Sequence, residues 1–200
     1  MSKAKQTRER ILKEAAELFN QQGYAGSSMS DIMRVTGLQK GGIYNHFESK
    51  EQLALAAFDF AIASIQSQYR LALRGKRHSL DRLRSLINIF GRSIDNPLLR
   101  GGCPILNTAI ESDDSHPALR DRAQKAMDSW RELICRIINA GIKKGEIRED
   151  IQAEEFVTIA ISLLEGGLMM SKLYGDAIHL QRAIAHLNDY IKSQFIRDEV

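Results

Sequence analysis

The sequence predicts an all-α protein of about nine helices, and three observations predict it. Residues with strong β preference other than Ile are scarce, with Val occurring three times and Thr four times in 200 residues. Apolar residues recur at three- and four-residue spacing through most of the chain, which is the period of a helix with one buried face. The three prolines, Pro97, Pro104 and Pro117, fall in one 21-residue window, so the rest of the chain is free of proline.

Taken in order, the first helix is expected from about Ala4 to Gln22, with Ile11, Leu12, Ala15, Leu18 and Phe19 as one apolar stripe. Gly23 stops it. Ser28, with Asp31 three residues on, caps a short helix near Met29–Val35. Gly37 marks a tight turn, and a second short helix follows near Lys40–His46. Ser49 and Gln52 form the capping pair of a long helix that turns Leu53, Ala57, Phe60 and Ala61 inward and breaks at Arg74–His78. Later helices are expected near Leu80–Ile94, within an irregular Arg100–Glu111 stretch, and over Pro117–Ile142, Ala153–Leu173 and Ala177–Phe195.

Hydrophobic residues make up 44% and charged residues 26%, the composition of a folded globular chain rather than a disordered tail or a fibre. The net charge of +3 is unevenly placed. Residues 1–50 hold 8 Lys/Arg against 5 Asp/Glu, whereas residues 51–200 hold 20 against 20. A basic N-terminal unit on a neutral body points to an anionic partner for that unit. No run reaches the ~18 apolar residues of a membrane span, and Met1–Arg10 is polar, so a cytoplasmic protein without a membrane partner is expected. Cys103 and Cys135 are too few for a disulfide framework or a cysteine zinc site.

The stretch Ser27–Phe47 reads SSMSDIMRVTGLQKGGIYNHF. Two short helices meeting at a glycine turn, with Ile32, Met33, Val35, Leu38, Ile43 and Phe47 as a compact core, make a helix-turn-helix over residues 28–47. The second helix is too short to stand alone and needs its neighbours as supports. Lys40 opens it, Gly41 and Gly42 allow close backbone approach, and Tyr44, Asn45 and His46 bring polar tips. A helix N-terminus favours phosphate, Lys50 stands ready to reach another, and Lys3, Lys5, Arg8 and Arg10 either add phosphate contacts or form a solvated face.

The run Gly42-Ile43-Tyr44-Asn45-His46-Phe47-Glu48-Ser49-Lys50-Glu51-Gln52-Leu53, with Thr7 to Leu12, Leu18-Phe19 and Gly23-Tyr24 upstream, resembles the hallmark of the TetR family of bacterial repressors. The resemblance covers about residues 5–65 and agrees at a dozen positions across three helices. It implies a DNA-binding domain over 5–65 and a ligand-binding and dimerising domain over 66–200. It also implies a homodimer on a palindromic DNA operator, released by a small-molecule effector, with no cofactor and no catalysis. Carried over by position, Ser28, Met29 and Ser30 begin the positioning helix. Lys40, Gly41, Gly42, Tyr44, Asn45 and His46 line the recognition helix, and Lys50 clamps a phosphate. Lys40 and Asn45 are the expected sequence readers. Tyr44 and His46 either contact the DNA backbone or serve the fold alone.

In the body of the chain, Phe156, Ile159, Leu163, Gly167 and Met170 line one helix and Leu180, Ile184, Leu187, Ile191 and Phe195 the next, both at near-heptad spacing. The resemblance implies that this pair forms a dimer interface; the alternative is that both stripes face the subunit's own core. Family members bind effectors among the middle helices, which makes Phe90, Cys103, Met127, Trp130, Ile134, Leu164 and Leu168 the candidates. No cluster of buried charge stands out, so an apolar or aromatic effector is expected.

Cys103, in Gly101-Gly102-Cys103-Pro104, resembles the sensing cysteine of some members and offers a second reading, an electrophile- or oxidant-sensing thiol. The other possibility is a small core residue. Asp113, Asp114 and His116 read more simply as a capping loop than as a metal site, and no metal is expected. His179 and His186, seven residues apart on one helix, are ~10.5 Å apart along the axis and cannot share an ion. Two rival classes are an all-helical enzyme, for which no nucleophile–base–acid set is found, and an architectural DNA binder indifferent to metabolites.

Overall fold

The structure, a computed structural model, describes residues 2–92, 100–112 and 116–196. Among these the chain forms α-helices and no strand: α1 (Lys3–Gln22), α2 (Met29–Thr36), α3 (Lys40–Tyr44), α4 (Lys50–Leu73), α5 (Ser79–Gly91), α6 (Pro104–Glu111), α7 (Pro117–Lys143), α8 (Ala153–Tyr174) and α9 (Ile178–Gln194). The helix boundaries follow the capping chemistry. Gly23 ends α1 at φ 78° with its N–H donated to the Phe19 carbonyl, and Gly37 ends α2 in the left-handed region at φ 66°. Pro97, the Ile94 end of the fifth predicted helix, and Asp113 and Asp114 lie outside the described residues.

The chain divides into two compact units, with α4 and α7 contributing to both. The first holds residues up to Gln66 together with 100–112 and 116–126, so α6 and the start of α7 belong with the N-terminal helices. Its core is Ile11, Leu12, Ala15, Leu18, Ile32, Ile43, Phe47, Leu53 and Ala57, with Met29, Met33 and Leu38 packed at its edge. The second unit holds 67–92 and 127–196. There α9 packs on α5 and α8. A β-carbon on Gly167 would stand 3.1 Å from the Leu180 Cα, and one on Gly91 2.6 Å from Ile184 Cδ1, so glycine lets both helices approach α9 closely.

One expectation is corrected here. α8 is long and apolar enough to cross a membrane, with mean hydropathy 1.5 over its best 18 residues, although half of that window is buried in the structure. Burial against neighbouring helices selects the same composition as lipid does, so length and hydropathy alone do not separate the two.

Candidate nucleic-acid interface

The helix-turn-helix is built from local chemistry upward. The Ser28 Oγ accepts the Asp31 N–H at 3.1 Å while the Asp31 carboxylate accepts the Ser28 N–H at 3.0 Å, a reciprocal cap that fixes where α2 begins. The same Ser28 hydrogen bonds, helped by Arg34, hold the Asp31 carboxyl at about 2. Thr36, the last residue of α2, donates its hydroxyl to the Ile32 carbonyl at 2.7 Å. α3 has only five residues and is fastened by one side chain, the fully buried Ile43. Phe47, also fully buried, carries the Arg8 guanidinium over its ring at 4.9 Å, which fixes one arm charge close to α3.

The predicted contact residues are mostly brought together on the outer side of α2 and α3. Ser28, Ser30, Lys40, Gly41 and Asn45 are exposed, and Tyr44 is 38% exposed with the Lys40 ammonium 5.7 Å from its ring centre. Gly42 and His46 are half-buried. Met29 begins α2 as expected and is half-buried, packed against the core of the unit. Gly41 is informative for what it does not touch. Its φ is not positive, and a β-carbon added there would meet nothing within 4 Å. Nothing in the fold of the described residues calls for glycine at this position.

Lys50, the expected phosphate clamp, turns its ammonium to the α1–α2 turn. Its ammonium donates to the Tyr24 carbonyl at 2.6 Å and lies 4.2 Å from the Tyr24 ring centre. Burial lowers its pKa, with the Glu111 carboxylate working the other way. Glu111 in turn accepts the Tyr24 and Ala25 N–H groups at 2.9 and 2.8 Å, tying α6 to the turn that leads into α2. Tyr24 meets His116 edge-on at 4.8 Å. The α1–α2 turn is thus held from behind by Lys50 and Glu111, neither of which the local sequence reveals in that role.

Residues 11–57 match the sequence profile of "Bacterial regulatory proteins, tetR family", and residues 79–187, more than half the chain, match that of "Tetracyclin repressor-like, C-terminal domain". The chain belongs to the TetR family. It is 47% identical to a TetR transcriptional regulator from Chloroflexus aurantiacus J-10-FL, whose crystal structure covers 98% of each chain with a TM-score of 0.92. It is 26% identical to the HTH-type transcriptional repressor DhaR of Mycobacterium sp. (strain GP1) over 83% of this chain and 82% of that one. A regulator from Saccharomonospora viridis, crystallised in complex with choline, is 26% identical and covers 97% of this chain and 100% of its own, with a TM-score of 0.82. The protein is therefore a TetR-family transcriptional regulator with a helix-turn-helix.

Phe90, Trp130, Ile134, Leu164 and Leu168 are buried and Met127 half-buried, all in the second unit. There Trp130 stacks between Phe90 and Tyr69, at 5.4 and 6.4 Å between ring centres. Cys103 belongs to the first unit, where it precedes α6.

Sequence reading missed Glu165, which is 6% exposed and the one charged side chain buried among the described residues. Helical spacing from Ile161 and Leu168 places it on the apolar side of α8, and that periodicity was the signal available. Among the described residues, no three of His, Cys, Asp or Glu are grouped to hold a metal ion.

The predicted dimer stripes are also redistributed. Leu180, Leu187, Ile191 and Phe195 are buried within the single chain and Ile184 is half-buried, because α9 turns this face to α5 and α8. Phe156 and Gly167 are buried as well. Ile159, Leu163 and Met170 remain open to varying degrees, joined by Leu173 at 71% exposure.

Both thiols are only 7% exposed. Burial, then the hydrogen bond and charge of Glu154, push the Cys135 thiol up to about 11, so it stays protonated at neutral pH and is a poor nucleophile. In the native protein both cysteines are expected to react with a bulky aromatic disulfide at least about a hundredfold more slowly than in denaturant, where no burial protects them. Stoichiometric labelling of Cys103 within seconds in buffer would favour the sensing-thiol reading.

Proposed function

We propose that this regulator is a cytoplasmic repressor without catalytic activity or a membrane partner, which binds a palindromic operator as a homodimer and is released by a small molecule. The observation that carries the DNA reading is Gly41. A helix surface kept bare where the fold has room for a side chain is what close approach to an outside backbone requires. Lys40 and Asn45, exposed on either side of it, are the proposed base readers, with Ser28, Ser30 and Tyr44 holding phosphate and Lys50 supporting the turn from within. DhaR, named as a repressor, supports the sign of regulation.

The effector is proposed to be largely apolar or aromatic, to suit Trp130, Phe90 and Leu164. Glu165 is the proposed anchor for a cationic group, in line with the choline held by the Saccharomonospora regulator.

One titration tests the DNA reading. With about six phosphates neutralised per dimer, log affinity for operator DNA against log salt is expected to fall with a slope of roughly −5. Gly41→Ala is expected to leave folding stability equal or raised by up to about 1 kcal/mol, while lowering operator affinity about tenfold or more. A flat salt dependence, or unchanged affinity in the variant, would count against this interface.

A further inference from the structure

The geometry points to a second binding site, in the second unit, for a small organic phosphate whose anionic head is joined to an apolar body. A groove of about 290 Å³ runs between the start of α5 and the C-terminal half of α7. Arg77, Arg82, Arg136 and Lys144 line it, together with Leu133 and Ile137. The balance of 20 basic and 20 acidic residues beyond residue 50 conceals this patch, because residues 74–84 alone hold five Lys/Arg against one Asp.

Two of the cations are oriented by backbone carbonyls, and the three arginines keep their charge unpaired by carboxylates. Arg82 Nη1 donates to the Lys76 carbonyl at 3.3 Å, and Lys144 Nζ to the Arg77 carbonyl at 3.5 Å. Among the described residues Arg77, Arg82 and Arg136 have no carboxylate within ion-pair distance. Glu146 reaches two of the lining residues. It accepts the Ser79 N–H at 2.8 Å and lies 3.9 Å from Lys144, offsetting that lysine's charge alone. The first amides of α5 are also occupied, Ser79 by Glu146 and Leu80 by His78 Nδ1 at 3.3 Å, so the arginine side chains, not the helix end, make the site.

Three guanidinium groups sharing a groove repel one another, and an anion among them relieves that repulsion. Their planar forks suit phosphate oxygens, which take paired hydrogen bonds. Leu133 and Ile137 give the rest of the ligand an apolar floor. A volume at the small end of the range for ligand sites suits a compact molecule rather than a polymer.

Calorimetric titration of the full chain with 1-naphthyl phosphate tests the site, with 1-naphthol and inorganic phosphate as comparisons. Expected are saturable binding that weakens with added salt, weaker binding of inorganic phosphate, and no competition by naphthol. Arg136→Gln, at an exposed position, should weaken the naphthyl phosphate about tenfold, and the R82Q/R136Q pair further. Operator binding should stay unchanged in both, which also shows that they fold. Equal binding of naphthyl phosphate by parent and pair, or its displacement by naphthol as readily as by unlabelled naphthyl phosphate, would overturn the proposal. So would a parent that ignores naphthyl phosphate while R136Q loses operator affinity, since the patch would then serve nucleic acid.

Discussion

Gly101→Ala is expected to lower the melting temperature by about 6–12 °C, the equivalent of about 3 kcal/mol in a chain of this size. A β-carbon on Gly101 would lie on top of the Asn20 carbonyl and 2.8 Å from the Gln21 nitrogen. These are backbone atoms at the end of α1, so no side-chain rotation relieves the overlap. The loop must lift away, and the bonds that dock it must stretch together. Asn20 Nδ2 donates to the Gly102 carbonyl at 2.9 Å, while Asn107 Nδ2 donates to Asn20 Oδ1 at 2.9 Å and to the Gly101 carbonyl at 2.8 Å. Loss of that docking also loosens Glu111, which holds the Tyr24 and Ala25 amides from the same short helix, so operator affinity should fall with stability. Gly41→Ala is the internal control, since the same added methyl group there meets nothing. Thermal unfolding followed by circular dichroism reads both. A Gly101→Ala protein melting within about 2 °C of the parent would show that the loop is not docked in this way.

Gly101 also marks the limit of what the sequence discloses. In the sequence the glycines before Cys103 read only as part of a thiol motif; in the structure Gly101 makes room for the end of α1, some 80 residues earlier. Caps, turns and helix starts were legible because their chemistry is local, as in the Ser28–Asp31 box, the αL Gly37 and the Ser49 Oγ that accepts the Gln52 N–H at 3.0 Å. The outward set Lys40, Gly41, Tyr44 and Asn45 was legible for the same reason, since five residues with one buried side chain leave few choices of face. Pairings over long separations were not. Glu111 meets Tyr24 across 87 positions, and Lys50 meets it across 26. A heptad stripe states that a helix face is apolar without stating what covers it. On α9 the cover is the subunit's own α5 and α8.

That redistribution sharpens the dimer prediction. Ile159, Leu163, Gly166, Met170 and Leu173 follow one another by four, three, four and three residues, so they form a single seam along α8. A β-carbon on Gly166 would meet nothing within 4 Å, whereas Gly167 is accounted for by α9. Among the described residues the seam therefore carries a glycine that no packing contact requires, flanked by Ile159 at 51% and Met170 at 39% exposure, as expected where a second helix crosses closely. In a two-fold dimer each substitution appears twice. Ile159→Glu with Met170→Glu would bring four carboxylates into one apolar contact and cost the separate subunit little, because both positions are already exposed. The expected result is a monomer by analytical ultracentrifugation with an unchanged helical spectrum. Operator affinity should fall by about 10²–10⁴-fold, because each half-site then binds without the effective concentration its partner supplied. A single half-site fragment should be bound by parent and variant subunits alike. A variant that remains dimeric would move the interface off this seam, and a monomer that keeps full operator affinity would separate DNA recognition from two-fold symmetry altogether.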